Sequence, residues 1–350
     1  MNKILAFIRR ERLYILLLIF VILLSAVTSA SHEGKGKKGA ASAVKTGIEK
    51  ADEDFFMKPA EVQKLLSEKR YLAVLLSLAS LLILAALFLG MIVDAILIRL
   101  KLFGGGINIL TRAPCMARWG IWDICRVAIL FCFFGYMIVT IEAFLAKSLP
   151  AVKNGNLRMI LNSSILDGLA VIFILYFTVG QYGEKLASLG LSLKNFARNV
   201  FYGIVGYLAV VPLLIGTLMV IAFVINVTRY VPERQPVVEL FLKERGAAFL
   251  TYTTVFAAFA GPVVEELFFR GFMYGALRKY AGVFWATMVT AVLFSALHTN
   301  IVGFFPIMIL GIALAYVYEK TGTLVSSITL HTIHNITMVL FVLLVKQLKG

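Results

Sequence analysis

The stretch "GPVVEELFFRGFMYGALRKY", which runs from Gly261 to Tyr280, decides how the rest of this chain is interpreted. It follows the almost wholly apolar "LTYTTVFAAFA", yet it contains five charged residues, and the three nearest that apolar flank are Glu265, Glu266 and Arg270. A charged side chain in lipid costs several kcal/mol, so such residues normally face a protein interior and are functional there. The stretch therefore predicts a polar site inside a membrane-spanning region.

The composition of the whole chain agrees with a membrane protein. Of its 350 residues 60% are hydrophobic and 15% are charged, whereas soluble domains are about 45–50% apolar and about a quarter charged. The net charge of +15 fits loops that lie against anionic lipid. Because no basic-aromatic module of the usual kinds occurs, we expect membrane lipid as a partner and no nucleic acid.

Apolar segments of spanning or near-spanning length recur along the chain and predict an all-α, multi-pass integral membrane protein with about 8–9 transmembrane helices. The predicted segments are residues 13–30, 71–98, 121–146, 160–181, 201–228, 246–268, 283–298, 303–318 and 324–345.

These segments divide the chain into four parts. Residues 1–30 form an N-terminal membrane anchor, although the ending "AVTSASH" also resembles a signal-peptidase site. Residues 31–70 form a polar, partly flexible loop. Residues 71–184 supply additional transmembrane helices, and residues 185–350 contain the polar insertions.

The basic residues predict the orientation. Four precede the first segment: Lys3, Arg9, Arg10 and Arg12. Four others, without an acidic residue, lie between the second and third segments: Arg99, Lys101, Arg112 and Arg118. Since positive loops stay in the cytoplasm, we expect a cytoplasmic N-terminus in a membrane that is most simply a bacterial cytoplasmic membrane.

Helical spacing groups the polar residues of the last third. Residues at i and i+4 share a face, so Glu266 and Arg270 can pair along their own helix. Glu265 is rotated by about 100° from Glu266 and points elsewhere. His331 and Asn335 also project together. Each signal alone fits a structural pair or a packing residue, but their joint occurrence predicts a functional intramembrane site.

Three of the four histidines lie in or beside these late segments, namely His298, His331 and His334. No serine elbow and no H-E-x-x-H zinc helix accompanies them. A water held between Glu265 and His298 could attack a carbonyl carbon with the carboxylate as general base. His331 and Asn335 could then donate hydrogen bonds to the oxyanion. This set of groups fits non-covalent amide hydrolysis.

Simple alternation of the segments would place Glu265 and His298 at opposite membrane faces. A helix of about 16 residues is about 24 Å long, so the two side chains would not meet. We therefore expect the sixth segment to continue as a helix to about Tyr280, with a kink at the Gly261–Pro262 step.

Three ordered motifs resemble the CPBP intramembrane proteases, also called the Abi or type II CAAX prenyl endopeptidase family. "EELFFRG" at 265–271, "FSALH" at 294–298 and "HTIHN" at 331–335 match that family's E-E-x-x-x-R, F-x-x-x-H and H-x-x-x-N patterns. The similarity covers about residues 185–345, so residues 185–350 are identified as a CPBP-like protease core.

The resemblance implies an all-helical membrane core enclosing a polar cavity. By motif, Glu265 would be the general base and His298 would help to hold the water. His331 and Asn335 would form the oxyanion site, and Glu266 and Arg270 would support it. The expected substrates are peptides or membrane proteins.

Other interpretations of the same residues stay open. The fold could serve a non-catalytic immunity or scaffold protein, or a proton-coupled transporter, for which inverted repeats would be expected and are not seen. His298, His331 and Glu265 could also make a zinc site. We favour a site without a metal cofactor, because Asn335 is a poor zinc ligand and the resembled family can activate water by glutamate alone.

Overall fold

The computed structural model describes residues 2–36, 67–103, 117–145, 154–230, 236–298 and 301–349. Within these ranges the regular elements are helical and no strand occurs, as the apolar pattern predicts. Residues 37–66, the greater part of the predicted polar loop, lie outside the described residues. The predicted four-part division of the chain stays a prediction.

The α-helices are numbered in chain order: α1 (Asn2–Gly36), α2 (Arg70–Phe103), α3 (Ile121–Leu145), α4 (Gly155–Leu175), α5 (Phe196–Thr228), α6 (Pro236–Lys243), α7 (Ala247–Val255), α8 (Gly261–Glu266), α9 (Gly275–Leu297), α10 (Ile301–Thr321) and α11 (Leu324–Lys349). Short π-helical segments also occur: Tyr176–Gln181, Phe256–Ala260 and Leu267–Tyr274. A 3₁₀ turn covers Leu186–Leu189.

Seven helical runs in the described part of the chain are long and apolar enough to cross a membrane. Their side chains point largely outward; in α2, for example, Leu72 and Gly90 are the buried positions that the helix contributes. Long helices with apolar outer surfaces satisfy their own backbone hydrogen bonds and can face lipid. The protein is therefore an integral multi-pass membrane protein. The predicted segment at 13–30 lies within α1.

One predicted boundary is wrong. The end of the sixth segment at residue 268 is too early, because the helix continues to Gly282; this non-helical residue then divides the run Ala247–Leu297 into two helices, the second of which contains the predicted segment 283–298. Arg270 and the basic residues after it lower the local hydropathy, which suggested a loop. The helix nevertheless continues past residue 268, so the predicted extension to about Tyr280 is confirmed.

The chain divides into two compact units, residues 1–57 with 121–177 and residues 58–120 with 178–350. In the first unit Arg126 of α3 donates through Nε to Glu11 of α1 over 2.9 Å, and through Nη1 to Asp123 over 2.6 Å. The second unit contains α2, α5 to α11 and every residue of the candidate site.

Helices α5, α10 and α11 form the apolar core of the second unit. The buried residues that they share are Val210, Leu214, Leu310, Leu314, Val317 and Leu330. Glycines allow the helix backbones to approach closely, as is common between membrane helices. At Gly203 of α5, a Cβ atom would lie 2.5 Å from the Ser326 carbonyl oxygen of α11. The site-bearing helix α11 therefore depends on the absence of a side chain there.

We expect Gly203→Ala to lower thermal stability by about 1–3 kcal/mol, because the added methyl group forces α5 away from α11. Gly216→Ala in the same helix is the matched control, since a Cβ atom at Gly216 would meet nothing within 4 Å. Thermal unfolding in one detergent compares the two variants. Equal melting temperatures would contradict the close contact.

Candidate functional site

Glu265 and His298 lie on the two arms of a helical hairpin whose turn is at Gly282. This glycine has φ 74° and ψ −179°, a conformation that side chains disfavour. Phe269 and Phe294 are thirteen and twelve residues from Gly282, and their ring centroids are 5.2 Å apart. At 1.5 Å per residue, Glu265 and His298 are both about 25 Å from the turn. The reversal therefore brings the first two motifs to the same level.

Glu266, Arg270 and His331 form a buried network. Arg270 Nη1 donates to Glu266 Oε1 over 2.7 Å, and both side chains are 0% exposed. The predicted i, i+4 pairing of these residues is thus observed. The same Glu266 oxygen lies 3.0 Å from His331 Nδ1. Because a carboxylate oxygen accepts, Nδ1 of His331 must carry the proton, which leaves Nε2 as the free nitrogen.

Arg270 has further partners that explain its complete burial. Its Nη2 donates to the Gly311 carbonyl of α10 over 3.1 Å. Its guanidinium also lies 4.6 Å from the centroid of the Phe294 ring. Desolvating a charge is costly unless it is paired and hydrogen-bonded, and these contacts offset much of that cost. The Nε atom of Arg270 makes no hydrogen bond to the described residues.

The Glu265 side chain differs from that of Glu266 in its hydrogen bonding and its exposure. Its Oε2 is buried and makes no hydrogen bond to the described residues, and it lies 3.6 Å from His331 Nε2. The whole side chain is 34% exposed, whereas that of Glu266 is fully buried. Adjacent glutamates are therefore in different environments. Glu266 is fully buried and its Oε1 bonds to Arg270 and His331, whereas Glu265 is partly exposed and its Oε2 makes no hydrogen bond to the described residues. The other oxygen of Glu266, Oε2, also makes none.

His298 ends α9 and is oriented by its own helix. Its Nδ1 lies 2.7 Å from the Phe294 carbonyl, one of the last helical carbonyls without a backbone partner. Since a carbonyl only accepts, Nδ1 carries the proton of this bond, and Nε2 is the nitrogen that remains for a water molecule. The Phe294 ring contacts both histidines, with centroids 4.8 Å from His298 and 5.6 Å from His331.

Asn335 is one turn from His331 but bonds to a different part of the same neighbouring helix. Its Nδ2 donates to the Ala257 carbonyl over 2.8 Å. Ala257 lies in the π-helical segment Phe256–Ala260. One N–H of the Asn335 amide thus donates to Ala257, and the second N–H can donate to another group.

His334 is a residue whose position the sequence could not assign. Its Nδ1 is buried and makes no hydrogen bond within the described part of the chain. Its ring meets that of Tyr207 edge-on at 6.3 Å. The i+3 spacing from His331 was the available signal, but spacing does not show which helix a side chain faces.

The predicted site residues occupy three kinds of position in the structure. Glu265, Glu266, Arg270 and His331 form one cluster, His298 joins it through Phe294, and Asn335 anchors α11 one turn away.

The alternative zinc set was Glu265, His298 and His331. Among the described residues, no three His, Cys, Asp or Glu side chains are grouped to hold one metal ion. Chelation of the purified protein, described below, tests metal dependence directly.

The fold and site define a multi-pass membrane protein with a buried centre of carboxylates, imidazoles and one guanidinium. Residues 247–337 match the family described as "Type II CAAX prenyl endopeptidase Rce1-like". The match covers this region of the chain, and it confirms the resemblance drawn from the three motifs. All of the predicted site residues lie inside the matched range.

The region is also similar to "Putative membrane peptidase YdiL" from Bacillus subtilis (strain 168), with 26% identity over 86 residues. The alignment covers 25% of this chain and 35% of that relative. No solved structure matches the chain significantly.

Proposed function

We propose that this protein is an intramembrane endopeptidase that hydrolyses a peptide bond with a water molecule activated by Glu265. The observation that carries the proposal is the contrast between the two adjacent glutamates. Glu266 is 0% exposed and its Oε1 bonds to Arg270 and His331, whereas the Glu265 side chain is 34% exposed and its Oε2 lies 3.6 Å from His331 Nε2 without a hydrogen bond to the described residues. The family of residues 247–337 supports the same class of reaction.

The reaction follows from these groups. Glu265 accepts a proton from a water molecule that is also held by Nε2 of His298, and the water oxygen bonds to the carbonyl carbon. The carbonyl oxygen becomes an oxyanion. When the carbon–nitrogen bond breaks, protonated Glu265 returns its proton to the leaving amine. The products are a carboxylic acid and an amine, and the carboxylate of Glu265 is regenerated.

The oxyanion has two candidate donors with different requirements. Asn335 can supply its second amide proton without any change of charge, since the first is bonded to Ala257. His331 donates from Nδ1 to Glu266, so its Nε2 can donate only when the ring is an imidazolium.

We expect His331→Ala and Asn335→Ala to lower kcat by about 10²–10³ and to raise KM less, because contacts to an oxyanion strengthen only in the transition state. Gln347→Ala, at an exposed position of the same helix, is the control. Steady-state kinetics on one peptide substrate separates the two constants. An unchanged kcat with a raised KM would make these residues substrate-binding groups instead.

The proposed activity is tested with purified protein in detergent and a library of peptides, some of them prenylated. Mass spectrometry locates the cut bonds and shows whether ¹⁸O from labelled water enters the new carboxyl group. The Glu265→Gln variant is assayed in parallel. Cleavage that is equal in both preparations would come from a contaminant, and no cleavage of any peptide would contradict the proposal.

We propose further that the reaction needs no metal, and expect activity to persist after chelation. The reason is that a glutamate close to a histidine can activate water without a Lewis acid. Bound zinc and peptidase activity are measured on the same sample after treatment with a strong chelator. Activity that vanishes with the metal and returns with one equivalent of zinc would contradict this expectation.

We propose that the protein lies in a bacterial cytoplasmic membrane with its N-terminus in the cytoplasm. The support is the basic group before residue 13 and the four basic residues at the end of α2 and before α3, namely Arg99, Lys101, Arg112 and Arg118. Its partners there would be lipid and a peptide or membrane-protein substrate. Reporter fusions at residues 1 and 110 test the orientation, and labelling of both from outside the cell would reverse it.

A further inference from the structure

A short segment far from the matched region packs against the helix that carries Arg270. Trp119 is 0% exposed, and its indole Nε1 donates to the Phe272 carbonyl over 2.8 Å. The two rings are stacked, with centroids 5.7 Å apart and planes 12° from parallel. Trp119 thus contacts Leu267–Tyr274 through both its ring and its N–H group.

A second segment holds the same helix from another direction. Leu189 approaches Gly271 so closely that a Cβ atom on the glycine would lie 2.9 Å from the Leu189 carbonyl oxygen. The two segments are also connected, because Arg118 Nε lies 2.9 Å from Glu184 Oε1. Both segments precede residue 247 and lie outside the family match.

The helical turn that they hold has an unusual backbone. Leu267–Tyr274 is π-helical, a form that is rare in proteins and frequent at functional sites. Arg270 lies within it, two residues before the carbonyl that accepts from Trp119. The Phe272 carbonyl also accepts from the Gly275 N–H, so the indole adds a second donor to one oxygen. The position of this turn sets where the Arg270 guanidinium meets Glu266.

We propose that Trp119 is a positioning residue for the site. Its indole N–H fixes the position of the π-helical turn. This turn positions Arg270, which bonds to Glu266, and Glu266 bonds to His331. Trp119 touches none of the reacting groups. Its effect on catalysis rests on the proposed peptidase function, whereas its effect on the geometry of the turn does not.

Trp119→Phe separates positioning from packing, because phenylalanine keeps an aromatic ring and removes the N–H donor. We expect kcat to fall by about three- to tenfold, the value of one hydrogen bond, with KM changed by less than about twofold. Trp285→Phe is the matched control, since Trp285 is 60% exposed on the outer surface of α9. A Trp119→Phe enzyme as active as the control would overturn the inference.

A second measurement does not depend on activity. The chain has three tryptophans, so a Trp122→Phe/Trp285→Phe protein reports the fluorescence of Trp119 alone. In that background Arg270→Lys should shift the Trp119 emission, and Arg245→Lys, at an exposed position, should not. An emission unmoved by Arg270→Lys would overturn the inference. If no variant cleaves any peptide, the proposed function fails, and the emission still decides whether Trp119 and Arg270 are coupled.

Discussion

Glu265→Gln is expected to lower kcat by about 10²–10⁴ while leaving the fold intact. Glutamine keeps the shape of the side chain but cannot accept the proton of the attacking water. Glu265 makes no hydrogen bond that the folded state depends on among the described residues, so thermal stability should change little. Peptidase kinetics and thermal unfolding on the same preparation measure both effects.

Two companion variants sharpen this test. Glu239→Gln replaces a glutamate whose side chain is 45% exposed and should behave like the unchanged protein. Glu266→Gln weakens a buried ion pair and should lower stability as well as activity, because Arg270 and His331 both bond to Glu266. A Glu265→Gln protein with near-normal turnover would remove Glu265 as the general base. Loss of activity confined to Glu266→Gln would move that role to its neighbour.

Arg270→Ala is expected to destabilise the fold by about 3–5 kcal/mol. The substitution leaves the Glu266 carboxylate buried without its cation and removes the contact with the Gly311 carbonyl. It also empties the space beside the Phe294 ring. We expect lower expression and a lower melting temperature in detergent.

The control for this effect is Lys243→Ala, which breaks an exposed i, i+4 pair with Glu239. Exposed pairs contribute about 0–1 kcal/mol, so this variant should unfold almost normally. An Arg270→Ala protein with an unchanged melting temperature and no activity would show that Arg270 acts on the substrate. The combined variant Glu266→Gln/Arg270→Ala should recover part of the loss, because no unpaired charge is then buried.

Local rules account for what could be predicted from the sequence. Lipid requires long apolar helices, so most of the spans between residues 70 and 349 were found with small errors at their ends, the sixth excepted. The Glu266–Arg270 pair follows from the repeat of one helix and needs no knowledge of its neighbours. The adjacent Glu265 could be placed on a different face by the same rule. These conclusions concern residues that are close along the chain.

Contacts between different helices could not be predicted from the sequence by these local rules. The sequence suggested that His331 and Asn335 act together on an oxyanion, and the structure shows both already bonded, to Glu266 and Ala257. The interaction of Trp119 with Phe272 joins residues 153 positions apart and left no periodic signal. A side chain's partner across a helix interface depends on how each helix is rotated about its axis, which the amino-acid pattern of one helix does not define.

The sequence by itself determined that this is a helical membrane protein, that a few charged residues gather near its C-terminal end, and that Glu266 and Arg270 share a face. Only the tertiary structure decided that the chain turns at Gly282, that His331 binds Glu266 through Nδ1, and that Glu265 Oε2 makes no hydrogen bond to the described residues. The physical reason is the range of the forces involved. Solvation and helical periodicity act on consecutive residues, whereas the proton positions of a buried site are set by hydrogen bonds between helices that meet only after folding.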